Sequence, residues 1–463
     1  MNFKPFEYQE PMIEHLVNND HAALFAGCGL GKTPVTLTAL KKVGGRALVV
    51  APLRVANMVW SDQVKLWGFP FTVANLRTQE GLQAWHDDSA DIYTINYEMI
   101  SGRGNKKGIL DQLVGKDMPV DTLIIDELSL CKSNSKRTKE IVKARKHFKR
   151  VWGLTGTPNG LLQLFYQIKC VDGGTRLGKF ITQFKQKYFD SDYMGWNLTP
   201  KANADKEIQN LISDICLVNR SEDHLDIPDC EFIDIDVTLP KTVMSKYKEL
   251  EKHLVIQLQD NVVDAQSAAV LVNKLQQFTA GHVYDEDGQT LAVHTAKHKA
   301  LTKVLSTHAP VLVLTRYKSE MKALLEAFPQ SEQFDEKRMD DWRAGKIPVW
   351  ICNPASMSHG IDGLQDSCST VVWMSLTYSL EAYSQTNARI LRTGQDTKSK
   401  VFRILAEETV DWAVASALEN KADGQSALLR SIGMLQRATA TVDKADQSAS
   451  SPSLKSRDRF DFS

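Results

Sequence analysis

The sequence predicts an α/β protein with two parallel-sheet units in tandem. Three observations carry this expectation: short β-branched runs alternate with longer helical stretches, the alternation lapses and then returns, and 463 residues exceed what one hydrophobic core usually holds. In the first half the runs are ALVVAPL from Ala47, DIYTINY from Asp91, DTLIIDE from Asp121 and RVWGLTG from Arg150. Nearly continuous apolar runs suit strands buried on both faces, hence a parallel sheet covered by helices.

From about Ala309 the pattern returns as APVLVLTRY, PVWICNP, STVVWMSL and SKVFRILAE. Between these, KSEMKALLEAF places Met321, Leu324, Leu325 and Phe328 on one helical face. The stretch between the halves reads differently, with aromatic FITQFKQKYF, a short strand candidate EFIDIDVTL, and helix from Lys241 to Gly281. The expected division is a first unit over 1–170, a helical insertion and linker over 171–295, a second unit over 296–420, and a C-terminal helix and disordered tail over 421–463. The tail, rich in Ser, Ala, Lys and Asp, has little apolar surface to bury.

Composition is that of an ordinary globular chain, with 43% hydrophobic and 24% charged residues. The formal net charge of +0 means that any polyanion must be held by local patches rather than by the whole field. Seven scattered cysteines without a CxxC pair argue against a disulfide framework and a zinc site, and for a reducing compartment. The N-terminal MNFKPFEYQEPMIEHL lacks a basic then apolar pattern, and no apolar run nears the roughly 18 residues of a spanning helix, so membrane insertion is not expected.

The strongest local signal is AGCGLGKT, Ala26 to Thr33, between apolar AALFA and helical PVTLTALKKV. Glycines let the backbone wrap around phosphate oxygens, and the helix that follows aims its positive end at the same charge. Gly27, Cys28, Gly29, Leu30 and Gly31 would form the wrap, Lys32 would reach the β and γ phosphates, and Thr33 would ligate Mg²⁺. Ala26 stands where the GxxxxGK[ST] pattern has its first Gly. A dinucleotide fold is a poor rival, since GCGLG is not GxGxxG and the Lys-Thr pair has no part there. A second signal, LIIDELS, ends an apolar strand with Asp126 and Glu127. Asp126 would hold Mg²⁺ through a water, and Glu127 would orient or deprotonate the attacking water.

Together, Tyr8-Gln9, GLGKT, VVAPLRV from Val49, INYE from Ile95, DELS from Asp126, LTGTP from Leu154 and QTNARILRTGQ from Gln385 resemble the motifs of superfamily-two helicases. DELSLCKSNSKR, Asp126 to Arg137, and the closing Arg389, Arg392, Gly394 and Gln395 are most similar to the Swi/Snf-type DNA translocases. The resemblance reaches about Leu418 and implies two RecA-like lobes in tandem with a helical insertion between them, using ATP and Mg²⁺. It further implies that Gln9 reads the adenine edge with Tyr8 nearby, and that Thr155 and Thr157 couple hydrolysis to movement. Arg389 and Arg392 are implied as arginine fingers, Gln385 as a neighbour of the γ phosphate, and Gly360 and Asp362 as nucleotide-sensing. Pro52, Arg54, Asn96, Tyr97, Thr315 and Arg316 fall in motifs that track nucleic acid. Leu128 and Ser129 depart from the family, standing where a DEAH box has Ala-His.

The resemblance implies a nucleic-acid motor, most similar to compact phage or bacterial forms, with double-stranded DNA as expected track and the cytoplasm of a bacterial or phage-infected cell as expected location. Partners in replication, recombination or restriction fit the same reading. Alternatives are a strand-separating or branch-migrating helicase on DNA or RNA, the motor subunit of a restriction-type complex, and a non-catalytic module using the nucleotide as a switch. The most basic stretch, Lys132 to Arg150, suits either phosphate contacts or a solvated helix face. Trp60 and Trp67 are expected in the core on a face shared with Val64, and Trp342, Trp373 and Tyr378 either in the core or stacked on bases. His282, His294, His298 and His308 are expected at the surface, since their spacing fits no metal pattern.

Overall fold

The computed structural model describes residues 2–102, 108–115, 118–156, 160–191, 198–220, 223–224, 230–259, 265–285, 287–357, 363–390 and 398–419. Thr157, Gly360, Asp362, Arg392 and the tail lie outside them. Among the described residues the chain forms two compact units.

In the first unit the strands are β1 (His21–Ala26), β2 (Ala47–Ala51), β3 (Val73–Asn75), β4 (Ile92–Asn96), β5 (Thr122–Asp126), β6 (Arg150–Thr155), β7 (Phe189–Ser191), β8 (Leu198–Pro200) and β9 (Cys216–Asn219). Seven of them form one sheet in the order β3-β4-β2-β5-β6-β1-β9, every pair parallel. β7 and β8 form a separate antiparallel pair. The apolar runs read from sequence supply β2, β4, β5 and β6, and β2, β4 and most of β5 and β6 are buried, as a sheet covered on both faces requires. One face packs on the helices Glu10–Asn18, Lys32–Val43 and Trp60–Leu66, the other on Lys136–Ala144 and Leu161–Asp172. Because all seven strands run one way, the residues that follow them gather at one edge. The register aligns Phe25 with Thr155, Asp126 with Leu154, and Ala51 with Asn96.

The second unit has β10 (Cys230–Val237), β11 (His282–Tyr284), β12 (Thr290–Ala292), β13 (Val311–Leu314), β14 (Ser331–Gln333), β15 (Val349–Cys352), β16 (Thr370–Trp373) and β17 (Ser399–Ala406). Its six-stranded parallel sheet runs β10-β17-β16-β13-β15-β14, and β11 pairs with β12 antiparallel. The helix Lys318–Ala327 lays Leu324, with Met321 and Leu325, on the core as its spacing predicted. Helices Lys241–Gln259 and Ala265–Thr279 fill the expected helical stretch.

In the stretch expected as insertion and linker, β9 adds an edge to the first sheet and β10 an edge to the second. These edge strands are largely part-buried or exposed, and CLVN and CEFIDIDV lack the continuous apolar runs of central strands. One expectation is corrected. His282 is buried rather than at the surface, with 9% exposure. His294, His298 and His308 are part-buried, each ring against a phenylalanine: Phe278, Phe328 and Phe402. Trp60, Trp342 and Trp373 are fully buried, while Trp67 is part-buried with its ring edge-on to Phe3.

Candidate nucleotide site and nucleic-acid surface

The glycine-rich turn joins β1 to the helix Lys32–Val43. Gly29 and Gly31 adopt φ of 83° and 75°, the left-handed region where a side chain is strained. The helix N-terminus has no side-chain cap, so its first amides remain available to an anion. The ammonium of Lys32 donates to the carbonyl oxygens of Ala26 at 2.8 Å and Gly27 at 3.2 Å, lying across the turn. Thr33 is part-buried in the first helical turn.

Gln9 is 2% exposed and braces this turn. Its amide donates to the Leu30 carbonyl at 3.0 Å, and its oxygen accepts the Phe6 N–H at 3.0 Å. A Cβ on Gly31 would stand 2.5 Å from Gln9 Nε2, so glycine is required there by contact as well as by φ. Tyr8 stacks between Phe6, at 5.7 Å, and His224, at 4.9 Å.

Asp126 closes β5, and Glu127 follows with φ 64°, ψ 59°, a left-handed conformation unusual for a residue with a Cβ. Tyr97, after β4, holds that turn: its buried hydroxyl donates to the carbonyl oxygens of Asp126 at 2.9 Å and Glu127 at 3.0 Å. Burial raises the Tyr97 phenol well above its ordinary range, which keeps it a proton donor. The Arg137 guanidinium lies over the other side of this arrangement, 5.2 Å from the Tyr97 ring centre. Val55–Val59 winds as a single π turn after β2 and delivers Trp60, whose indole N–H donates to Asp126 Oδ2 at 3.0 Å. The carboxyl of Asp126 is pushed up to about 6 by desolvation and by the neighbouring charge of Glu127, against the opposing pull of Trp60 and Lys32.

Glu127 Oε1 accepts the hydroxyls of Ser129 at 2.6 Å and Thr155 at 2.8 Å. Leu128 packs against Gly153 so closely that a Cβ there would lie 2.6 Å from Leu128 Cδ2. The residue set fits an ATP–Mg²⁺ complex: uncapped amides and Lys32 for phosphate, and Thr33 and the Asp126 carboxyl for a divalent ion, which would favour the ionised form of that carboxyl.

The remaining predicted residues divide by accessibility. Pro52, Asn96 and Thr315 are buried, so they can meet a ligand chiefly through backbone, while Arg54 is part-buried at the same edge. In the second unit, Arg316 follows β13, donates to Gln276 Oε1 at 2.6 Å and lies 4.1 Å from the Tyr378 ring centre. Gln385 lies on the helix Leu380–Asn387 and Arg389 in the turn after it, both part-buried. In the basic stretch, several cations are already engaged: Arg145 with the Val171 carbonyl, Lys143 with Asp111, and Arg150 with Asp121. Lys132, Lys139, Lys146 and Lys149 are exposed. The hydrogen bond of Trp60 to Asp126 and the inward role of Tyr97 were not read from sequence. Their only signal was position, Trp60 in the segment after β2 and Tyr97 directly after β4.

Two parallel α/β units with this edge share the fold of a known helicase domain. The helicase domain of Pyrococcus furiosus Hef superposes with a TM-score of 0.51 at 15% identity, covering 90% of this chain and 98% of that one. The SWI2/SNF2 ATPase core of Sulfolobus solfataricus, solved in complex with dsDNA, gives a TM-score of 0.45 at 18% identity, covering 96% of each chain. No family model matches the sequence. Protein p41 of Acyrthosiphon pisum secondary endosymbiont phage 1 is 32% identical over 465 residues, covering 93% of this chain and 99% of p41, and the present chain belongs to the same family. Among the described residues no helix is long and apolar enough to cross a membrane.

Proposed function

We propose that the protein is a DNA-dependent ATPase that translocates along duplex DNA. The observation that carries the reading is the convergence at one sheet edge of Lys32 on its uncapped helix with Asp126 and a doubly anchored Glu127. Lys32 and the turn amides bind the triphosphate, and Gln9 ties that turn to the N-terminal segment. Mg²⁺, held by Thr33 and through water by Asp126, would screen the phosphate charge. Glu127 orients the attacking water and takes its proton. Arg389 and Arg392 supply guanidinium charge to the transferring phosphoryl group, worth ~10³ to 10⁵ in rate where such fingers are known. Nucleotide state then acts as a switch for movement. Arg54 and Arg316 contact the strand backbone. The duplex preference rests on the Swi/Snf-type motifs DELSLCKSNSKR and Arg389 to Gln395.

Steady-state ATPase measured with duplex DNA, single-stranded DNA and RNA tests the reading. Marked stimulation by duplex DNA is expected. Stimulation by RNA or single strands alone would favour a strand-separating helicase, and equal rates with every polymer would count against a motor.

A further inference from the structure

The hydrolytic site contains a buried side chain that the phosphoryl-transfer reading does not use. Ser129 is 0% exposed, one residue beyond Leu128 in the short helical turn Leu128–Leu130, and its hydroxyl donates to Glu127 Oε1 at 2.6 Å. Thr155, also 0% exposed, donates to the same oxygen from the end of β6. Among the described residues no hydrogen bond reaches Oε2. One oxygen of the carboxylate is therefore fixed twice, and the other is left for a water.

We propose that Ser129 is a positioning residue that locks the side-chain rotamer of Glu127, so that Oε2 alone faces the attacking water; the proposal rests on the ATPase reading above. The lock has a structural need. Glu127 sits in a left-handed backbone conformation that does not itself favour one carboxylate direction, and a charged side chain at a sheet edge would otherwise exchange among rotamers. Three features set Ser129 in place. Leu128 inserts against Gly153 of β6, where only a glycine leaves room. Tyr97 fixes the backbone carbonyls on either side of the bend. The N–H of Leu130 donates to the Glu127 carbonyl at 3.0 Å, closing the turn that carries Ser129 back over the carboxylate. Ser129 occupies the position where the resembled family has histidine. A hydroxyl can lie against the carboxylate within the same turn, two residues away, at a site with no exposed volume.

The test is single-turnover ATP hydrolysis by the full chain with saturating duplex DNA, beside equilibrium ATP binding, for wild type, S129A, S129T, E127Q and S129A/E127Q. The proposal expects S129A to lower the hydrolysis rate roughly ten- to a hundredfold, the scale of one hydrogen bond to a charged group, with ATP affinity unchanged within about twofold. It expects S129T to recover most of the rate, and S129A to add nothing in the E127Q background. A wild-type rate in S129A, or an equal loss of rate and ATP affinity in S129A with no rescue by S129T, would overturn it. If wild type itself does not hydrolyse ATP, the functional reading fails. If wild type is active and E127Q inactive while S129A is normal, only the positioning role fails.

Discussion

The indole N–H of Trp60 donates to Oδ2 of Asp126 across 66 residues of chain, at 3.0 Å. It is the hydrogen bond that most opposes the desolvation and the Glu127 charge acting on that carboxyl. An Asp126 that titrates near 6 is half protonated at that pH, and a protonated carboxyl is a poor partner for Mg²⁺-bound water.

The acid limb of the ATPase pH profile should therefore lie near pH 6 at low Mg²⁺ and move down as Mg²⁺ is raised. Trp60→Phe removes a hydrogen bond that favours the ionised form, so its limb should move to higher pH. The sign for stability follows from the same values. Asp126 takes up its proton at about 6 in the fold against roughly 3.9 in an unfolded chain, so its contribution is intact below about pH 4 and is lost as pH rises through 6. In Mg²⁺-free buffer, Asp126→Asn should raise Tm by about 2 to 5 °C at pH 8 and leave it unchanged at pH 4, as thermal melts at the two pH values would show.

Gly31→Ala should lower ATP affinity at least roughly tenfold, because the new methyl meets Gln9 Nε2 and the backbone at φ 75° resists a side chain. Isothermal titration with ATP checks this. Affinity equal to wild type would mean that the turn does not grip phosphate.

Arg316→Ala should weaken duplex-DNA binding and lower the salt slope of log K by about 1, while leaving DNA-independent ATP affinity unchanged. Gln276→Ala should act more weakly, since it orients the guanidinium without supplying its charge. Fluorescence anisotropy across a salt series distinguishes the two. An unchanged slope in Arg316→Ala would place the nucleic acid elsewhere.

Much of the fold was legible because central strands of a parallel sheet need unbroken apolar runs, and ALVVAPL, DTLIIDE and RVWGLTG supply them. The edge strands were not. Val73–Asn75 and Ser331–Gln333 are three residues each and partly polar, because one of their edges is unpaired. The glycine-rich turn and the Asp-Glu pair could be read from residue type, since phosphate and metal chemistry dictate those types. Trp60 and Tyr97 could not, because their value lies in tertiary contacts with Asp126 and Glu127 that no local spacing encodes. His282 was misplaced for a related reason: a polar residue type says little about a short strand tucked against the helix Ala265–Thr279.

The most direct measurement of the central claim is paired on Glu127→Gln: equilibrium binding of ATP with Mg²⁺, and single-turnover hydrolysis of the same nucleotide on duplex DNA. If Lys32 and its turn hold the triphosphate while Glu127 activates water, binding should match wild type and hydrolysis should fall by roughly 10² or more. Hydrolysis at the wild-type rate in this variant would contradict the assignment of the site.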